Sequence, residues 1–195
     1  MSSNLSRIVW GIVLLLLFFV GCSKYNTFVS KNQDVSGAWA NVQSAYQRRA
    51  DLIPNLVNTV KGYADFEQST IIAVTEARAK ATNMTIDPSK ATAEQLAEFQ
   101  NNQTVLSQAI GRLLAVSERY PDLKANQNFL ELQSQLEGTE NRIKTERDKY
   151  NSMVREYNVA VQQFPGVLFS KVFGFSSKPM FESDKGSDKA PKVEF

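Results

Sequence analysis

A repeating spacing of apolar positions runs through most of the sequence and limits what the chain can fold into. The longest stretch keeps alternating steps of three and four residues at Phe129, Leu132, Leu136, Thr139, Ile143, Glu146, Tyr150, Met153, Tyr157, Ala160 and Phe164. Residues 28–49, 53–81 and 96–120 carry similar spacing, the second of them less strictly. Such spacing is typical of helices that pack nearly parallel to one another. We therefore expect an all-α fold, an antiparallel up-and-down four-helix bundle with long, coiled-coil-like helices.

Turn signals lie between these segments, where a bundle needs them. Asp87 and Pro88 fall in the NMTIDPS stretch, and Thr92 with Gln95 predicts a capping box at the start of the third helix. Pro121 predicts the end of that helix, because the residue before a proline is pushed out of the α region. Alternating apolar residues typical of strands are missing outside the helical segments, so we expect no sheet.

The stretch RRADLIPNLV, residues 48–57, places a proline in a strongly helical region. One interpretation is a hairpin: the first helix ends near Arg49, Asp51 caps the next helix, and Pro54 lies in its first turn, where no N–H is needed. The other is a single continuous helix that is kinked at Pro54, at a cost of about 3 kcal/mol. The hairpin is favoured, because short connections join antiparallel neighbours.

The N-terminus predicts attachment to a membrane. An apolar run from Ile8 to Gly21 follows Arg7, and its 14 residues are fewer than the roughly 20 that span a bilayer. This is typical of a signal peptide. The run ends Phe19-Val20-Gly21-Cys22, which resembles a bacterial lipobox with Cys22 as the acylated residue, although Phe19 departs from the usual aliphatic residue. The alternative is an uncleaved signal anchor, which would make the chain a single-pass membrane protein.

Composition argues against several classes of function. The chain has no histidine, so it lacks the commonest general base and metal ligand, and its one cysteine allows no internal disulfide. Twenty-two basic against 20 acidic residues leave no strong charge for nucleic acid. No Gly-rich phosphate loop is present. The sequence thus indicates no catalytic residues, no cofactor, no metal site and no nucleic-acid partner.

The element Tyr-Asn-x-x-Val occurs three times, and two copies stand seven residues apart, at Tyr150-Asn151 and Tyr157-Asn158. In a helix these copies lie on the same face, two turns apart. One interpretation has each tyrosine in the helix seam and each asparagine facing solvent. The other is a stripe of Tyr and Asn side chains that binds a partner helix.

Polar residues at seam positions raise a second candidate site. They are Asn32, Arg49, Gln103, Thr139 and Glu146. Buried polar groups can set the register of packed helices. The alternative is a polar cleft at one end of the bundle, formed by Arg48, Arg49, Asp51 and Asn55, which receives an acidic, peptide or other small polar ligand.

Several stretches of the sequence together resemble the LemA family of bacterial membrane-associated proteins. They are YNTFV, AW, QRRADLIPNLVNTVKGYA, ARAKA, SERYPDLKAN and ENRIKTERDKYNSMVREYN, with a tail ending KAPKVEF. The resemblance extends from Tyr25 to about Phe175. It implies antiparallel helices behind an N-terminal hydrophobic segment and no established enzymatic activity. Many members look like single-pass proteins, whereas this chain has a shorter segment that ends in Gly-Cys.

These observations lead to one expected organisation and role. Residues 1–22 form a signal peptide or anchor, residues 23–176 a helical bundle, and residues 177–195 a flexible tail. We expect a non-catalytic scaffold or adaptor, lipid-anchored and extracytoplasmic at the bacterial envelope, that binds other envelope proteins. The alternative is an accessory subunit or enzyme that binds a small polar ligand at the Arg48, Arg49 and Asp51 cleft.

Overall fold

A computed structural model describes residues 2–62 and 67–182, and the prediction of all-α structure is confirmed for these residues. They form six helices and no strand: α1 Ser2–Lys61, α2 Gln68–Asn83, α3 Ala93–Ser117, α4 Pro121–Lys124, α5 Gln127–Gln162 and α6 Gly166–Phe173. Tyr63, which was assigned to the second seam, and the KAPKVEF tail lie outside the described residues. The long helices α1, α2, α3 and α5 carry most of the buried apolar side chains.

Helix α1 is continuous over 60 residues, so the predicted hairpin at residues 49–51 is wrong. At 1.5 Å per residue, the helix is about 90 Å long. Asp51 does not cap a helix; its carboxylate accepts a hydrogen bond from Gln47 Nε2, one turn earlier, at 2.7 Å. The first connection between long helices lies after Lys61. The apolar N-terminal run and the body of the protein therefore share one helix.

A side chain from α2 compensates for Pro54 in the C-terminal part of α1. Proline has no N–H, so the main-chain oxygen of Ala50, four residues earlier, loses its helical donor. Arg78 Nε donates to that oxygen at 2.8 Å. Pro54 itself is exposed. An external donor thus makes the proline compatible with a continuous helix, which the sequence pattern could not indicate.

Local signals elsewhere act as predicted. Thr92 and Gln95 form the capping box that starts α3, with Gln95 N donating to Thr92 Oγ1 at 3.2 Å and Thr92 N donating to Gln95 Oε1 at 3.1 Å. Pro121 occupies the first turn of α4, just after α3 ends. Asn126, which was not among the predicted caps, caps α5 by accepting a hydrogen bond from the main-chain nitrogen of Phe129 at 3.2 Å. These caps satisfy N–H groups that a helix start leaves without partners.

Contacts between the helices show their relative directions. Lys31 in α1 pairs with Glu156 in α5, and Arg49 further along α1 reaches Glu140 earlier in α5, so the two helices run in opposite directions. Helix α3 likewise runs opposite to α2, because Gln103 contacts Ala81 whereas Arg119 pairs with Glu67.

The buried apolar side chains form two clusters. The aliphatic cluster joins the C-terminal part of α1 to α2, α3, α4 and the start of α5. Its members include Ile53, Leu56, Val60, Val74, Leu106, Ile110, Leu113, Leu123 and Leu136. The aromatic cluster lies around the middle of α1 and the C-terminal half of α5. Its members include Phe28, Trp39, Tyr46, Phe99, Tyr150, Tyr157 and Phe181.

An extended segment after α6 closes the aromatic cluster. We name residues 175–182 the strap; they follow Gly174, whose φ of 75° ends α6 in the left-handed conformation that favours glycine. Phe181 is buried, and Phe175 and Met180 pack against the same cluster. Residues 177–182, which were assigned to a flexible tail, thus lie against the helices; residues 183–195 are outside the described part of the chain.

The seam of α5 shifts by one residue along its length. Val154 and Val161 are buried at the positions where the seven-residue repeat assigned Met153 and Ala160. A straight α-helix drifts by about 20° per heptad relative to a 3.5-residue repeat, so about four heptads move the seam by nearly one residue. Phe164, the last predicted seam position, lies beyond the end of α5 and is exposed.

Candidate functional site

The N-terminal part of α1 presents apolar side chains on all sides. Large side chains from Ile8 to Val20 are exposed, and the helix is long and apolar enough to cross a membrane. A signal sequence has the same properties, so the observation suggests membrane association without identifying the kind of anchor. Cys22 is exposed and free. Its acylation stays a prediction.

Arg49 lies at the centre of a buried polar layer that touches all four long helices. Its side chain is only 2% exposed, and Nη1 donates to Ser107 Oγ at 2.7 Å and to Glu140 Oε1 at 2.5 Å. Its Nη2 donates to the main-chain oxygen of Gln103 at 3.1 Å and to Gln103 Oε1 at 2.6 Å. Gln103 Nε2 donates in turn to the main-chain oxygen of Ala81 at 3.1 Å. One guanidinium therefore ties α1, α3 and α5 together, and Gln103 extends the layer to α2.

The other residues of the predicted cleft do not join this layer. Arg48, Asp51 and Asn55 are exposed, whereas Arg49 points into the core. Because α1 is continuous, all four lie in the middle of a long helix and not at an end of the fold, which corrects their predicted position. The Arg49 guanidinium is already occupied by Gln103, Ser107 and Glu140, so a ligand cannot reach it without breaking those bonds.

Glu146 is a second buried charge in the seam. Its Oε1 pairs with Arg142 Nε at 3.0 Å and lies 3.4 Å from Lys149 Nζ. Its Oε2 has no hydrogen-bond partner among the described residues, and neither does Arg49 Nε. A buried polar atom without a partner destabilises the fold. Only Arg49 bonds to other helices, since both partners of Glu146 lie on α5 itself.

Asn151 and Asn158 bind the main chain of the strap. Asn158 Nδ2 donates to the main-chain oxygen of Lys178 at 2.9 Å, and Lys178 N donates to Asn158 Oδ1 at 2.8 Å. Asn151 makes the same pair of bonds to Phe181, at 3.0 Å from Nδ2 to the oxygen and 2.9 Å from Phe181 N to Oδ1. Each amide therefore satisfies both polar groups of one peptide residue. We call this pair of asparagines the clamp.

Helix geometry explains the spacing of the clamp. Seven helical residues advance about 10.5 Å at 1.5 Å per residue. Three residues of extended chain advance about 10 Å at 3.3 to 3.6 Å per residue. The seven-residue step from Asn151 to Asn158 therefore matches the three-residue step from Phe181 back to Lys178. Of the two interpretations of the repeat, the one that placed its tyrosines in the seam agrees with the burial of Tyr150 and Tyr157, and the asparagines hold an extended segment of the same chain.

Aromatic side chains bind the strap beside the clamp. The ring of Phe181 stacks on Trp39 with centroids 5.9 Å apart and meets Tyr150 edge-on at 5.4 Å. Tyr150 OH donates to the main-chain oxygen of Pro179 at 3.3 Å. Burial raises the pKa of Tyr150 to about 12. The raised pKa keeps the hydroxyl protonated, and so able to donate, to a higher pH than in a free tyrosine.

Lys178 ties the strap to the connection between α2 and α3. Its Nζ donates to the main-chain oxygen of Pro88 at 2.8 Å and lies 5.3 Å from the centre of the Tyr157 ring. Burial lowers the pKa of Lys178, and the nearby Asp87 carboxylate opposes that shift. Sequence reasoning missed both Lys178 and Phe181. The available signal was the apolar Pro179-Met180-Phe181 run within an otherwise polar segment.

The described residues contain no group of three or more Cys, Asp or Glu side chains that could hold a metal ion. The polar contacts described above lie within the chain. The Arg49 layer holds helices together, and the clamp holds the strap through main-chain hydrogen bonds.

Comparison with known proteins identifies relatives in bacteria. The chain is 26% identical to the magnetosome protein MamQ 2 of Paramagnetospirillum magneticum over 85% of this chain and 67% of that protein. It is 25% identical to the magnetosome protein MamQ of Magnetospirillum gryphiswaldense over 90% of this chain and 72% of that protein. It is 24% identical to the protein LemA of Metamycoplasma hominis over 76% of this chain and 64% of that protein.

The sequence model of the LemA family matches residues 38–195, which include the Arg49 layer, the clamp and the strap. The resemblance seen in the sequence motifs is thereby confirmed. The chain belongs to the LemA family.

Proposed function

We propose that the protein is a non-catalytic scaffold or adaptor anchored in the bacterial cell envelope. Its body is an up-and-down bundle of α1, α2, α3 and α5, in which neighbouring helices are antiparallel. The observation that carries this proposal is the continuity of α1 from Cys22, where the exposed apolar run ends, into both core clusters. A helix without a flexible joint would hold the body at a fixed place on the membrane. Similarity to magnetosome and LemA proteins fits a membrane-associated role.

The scaffold role is tested with the full-length tagged chain in membranes of a bacterial host. A photo-crosslinking amino acid is placed at exposed polar positions of the body, such as Arg48 and Asn55. A scaffold is expected to yield the same protein adducts from neighbouring positions on one face, identified by mass spectrometry. An unrelated membrane-anchored bundle with probes on one face serves as the control. Adducts that match this control would contradict the proposal.

The kind of anchor is tested by the intact mass of protein purified from membranes. We propose a lipid anchor on Cys22 that places the body outside the cytoplasm. A chain that begins at Cys22 and carries acyl mass is the expected result, and Cys22→Ser should remove both the cleavage and the added mass. A full-length chain that begins at Met1 would instead make residues 8–21 a signal anchor and the protein a single-pass membrane protein.

A second candidate function is the binding of a small polar ligand near Arg48. It is favoured by a groove between α1 and α5 that Arg48 and Arg142 line together with Asn41, Ser44 and Gln135. A ligand that binds only the native state raises the melting temperature. If small anions stabilise the protein and Arg48→Ala removes the effect, this function gains support. Equal behaviour of the unmodified chain with and without each anion would eliminate it.

A further inference from the structure

Helix α6 buries two small residues and exposes two large apolar ones, while Lys171 is also exposed and Phe169 packs inward. Gly166 and Ser170 are buried against the end of α5, and Ser170 Oγ donates to the main-chain oxygen of Val161 at 2.9 Å. A Cβ at position 166 would lie 2.2 Å from the main-chain oxygen of Ala160, so only glycine allows this close approach. On the outer side, Leu168 and Val172 are 57% and 78% exposed.

This arrangement is the reverse of what a helix on a water-facing surface shows. There, the apolar stripe faces the core and the polar residues face solvent. Leu168 and Val172 are four residues apart and therefore share one face. Phe164, in the connection before α6, is 81% exposed and adds a third large apolar side chain. Exposed apolar residues that are grouped in this way mark a surface covered by a partner or a membrane.

The position of α6 identifies a lipid surface as what covers this face. Phe169 in α6 packs against Gly21, the last residue of the apolar run; its ring lies 3.1 Å from where a Cβ of Gly21 would stand. The Phe173 ring meets Tyr25 edge-on, with centroids 5.2 Å apart. Helix α6 therefore lies beside α1 at the level where the apolar run ends, which is the level at which a membrane surface is expected.

For an uncleaved anchor, the length of the apolar run supports the same conclusion. Fourteen helical residues span about 21 Å, which is less than the hydrocarbon thickness of about 30 Å. A short apolar segment can be accommodated by flanking residues that reach into the lipid boundary. Lys171 on the exposed side of α6 and Lys24 on α1 can extend their ammonium groups toward lipid headgroups while their stems lie along apolar surface.

We propose that α6 is a second membrane contact, lying in the lipid headgroup region with Phe164, Leu168 and Val172 in contact with acyl chains. The inference rests on the proposed anchoring for the position of the membrane, but it holds for either anchor. An acyl group on Cys22 and a spanning helix that ends at Gly21 both bring the bilayer surface to the same level of α1. Two contacts would fix the tilt of the body, which one anchor alone does not.

The test uses the photo-crosslinking amino acid p-benzoylphenylalanine in the full-length chain, in bacterial membranes with radiolabelled phospholipid. Probes replace Leu168 and Val172 in turn, and matched control probes replace Ile72 in α2 and Val105 in α3, which are also exposed apolar residues. All four positions are at the surface, so the fold is retained. We expect at least about tenfold more lipid adduct from residues 168 and 172 than from the controls.

Two other outcomes have separate meanings. If the chain sediments with membranes but residues 168 and 172 give no more lipid adduct than the controls, the inference is overturned and the anchor is retained. If protein adducts replace lipid adducts at these two positions, α6 docks on a protein and the inference is again overturned. If the chain does not sediment with membranes at all, the proposed anchoring fails as well.

Discussion

The two core clusters are built differently, although the same three long helices, α1, α3 and α5, contribute to both. In the aliphatic cluster every buried side chain comes from a helix, and α2 supplies Ile71, Val74, Ala77 and Ala81. In the aromatic cluster α2 is absent. The connection from α2 to α3 supplies Ile86, and the strap supplies Phe181. The strap and this connection thus occupy the part of the fold where a longer α2 would lie.

Coverage by the strap in place of α2 explains why the aromatic cluster needs large side chains. An extended strap brings fewer side chains to a core than a helix does, so each must fill more space. Trp39 spans the gap: its ring contacts Phe99, Tyr150 and Phe181, and its Nε1 donates to the main-chain oxygen of Ile86 at 3.2 Å. Aromatic side chains bury large areas and can still place a polar atom against the main chain.

The Arg49 layer lies between the aliphatic cluster and the aromatic cluster. Gln103 Nε2 reaches the main-chain oxygen of Ala81, in the last turn of α2, beyond which the fourth helix is no longer present. Tyr46 of the aromatic cluster lies on one side of the layer, and Ile53 of the aliphatic cluster lies on the other side. The layer therefore lies at the level where α2 stops covering the core and the strap begins to cover it.

The largest expected effect on stability follows from removing the Arg49 guanidinium, which lies between the two clusters. Arg49→Met is expected to lower the free energy of unfolding by about 4 kcal/mol, because it leaves buried acceptors without donors. Arg49→Lys should recover only part of this loss, because an ammonium cannot reproduce the forked geometry. Chemical denaturation measures the effect. Arg48→Met is the matched control and should change stability by less than about 0.5 kcal/mol; equal losses at both positions would contradict the account.

The next largest effect on stability tests the aromatic cluster alone. Phe181→Ala is expected to cost about 3 kcal/mol, because it leaves a cavity between Trp39 and Tyr150. Trp39 fluorescence should report the opening of the strap before the rest of the chain unfolds. Phe164→Ala, which removes an exposed ring, is the control and should leave both stability and fluorescence unchanged. If Phe181→Ala behaves like this control, the strap does not complete the core.

A smaller effect tests the clamp. Asn151→Ala and Asn158→Ala each remove two hydrogen bonds to the strap and should each cost about 1 to 2 kcal/mol. The second substitution should cost less once the first is present, because a strap released at one point is easier to release at the other. Asn55→Ala, at an exposed position of α1, is the control. Fully additive losses would indicate that the two asparagines act independently.

The smallest effect tests the continuity of α1. Arg78→Ala should cost about 1 kcal/mol, since it removes the donor to the main-chain oxygen of Ala50. In a Pro54→Ala background the helix regains its own N–H, so the same Arg78→Ala should cost less. A double-mutant cycle in denaturant measures the coupling. Zero coupling would show that Arg78 does not compensate for the proline.

Much of the helical structure could be predicted from the sequence, because spacing and caps act locally. The capping box at Thr92 and the seam of α3 are fixed by residues within a few turns of each other. The hairpin prediction failed since its outcome depends on Arg78, which is distant in sequence from Pro54. The role of the Tyr-Asn repeat was open for the same reason: the seven-residue step identified a shared face but not the extended segment that binds there.

The apolar run could be predicted from the sequence, whereas the orientation of α6 could not. The apolar run from Ile8 to Gly21 was evident from composition, and its exposure agrees with that interpretation. The inverted polarity of α6 could be recognised only once Gly166 and Ser170 were seen to face α5. Which side of a short helix is buried depends on its neighbours.

The central claim is that the strap closes the aromatic cluster in the way that α2 closes the aliphatic cluster. Amide hydrogen exchange tests this claim most directly. It compares the full chain with the double variant Asn151→Ala, Asn158→Ala. We predict faster exchange at residues 35–46 and 146–157, which the strap covers, and unchanged exchange at residues 53–60 and 71–81, where α2 closes the core. Equal acceleration in both halves, or none in either, would contradict the claim.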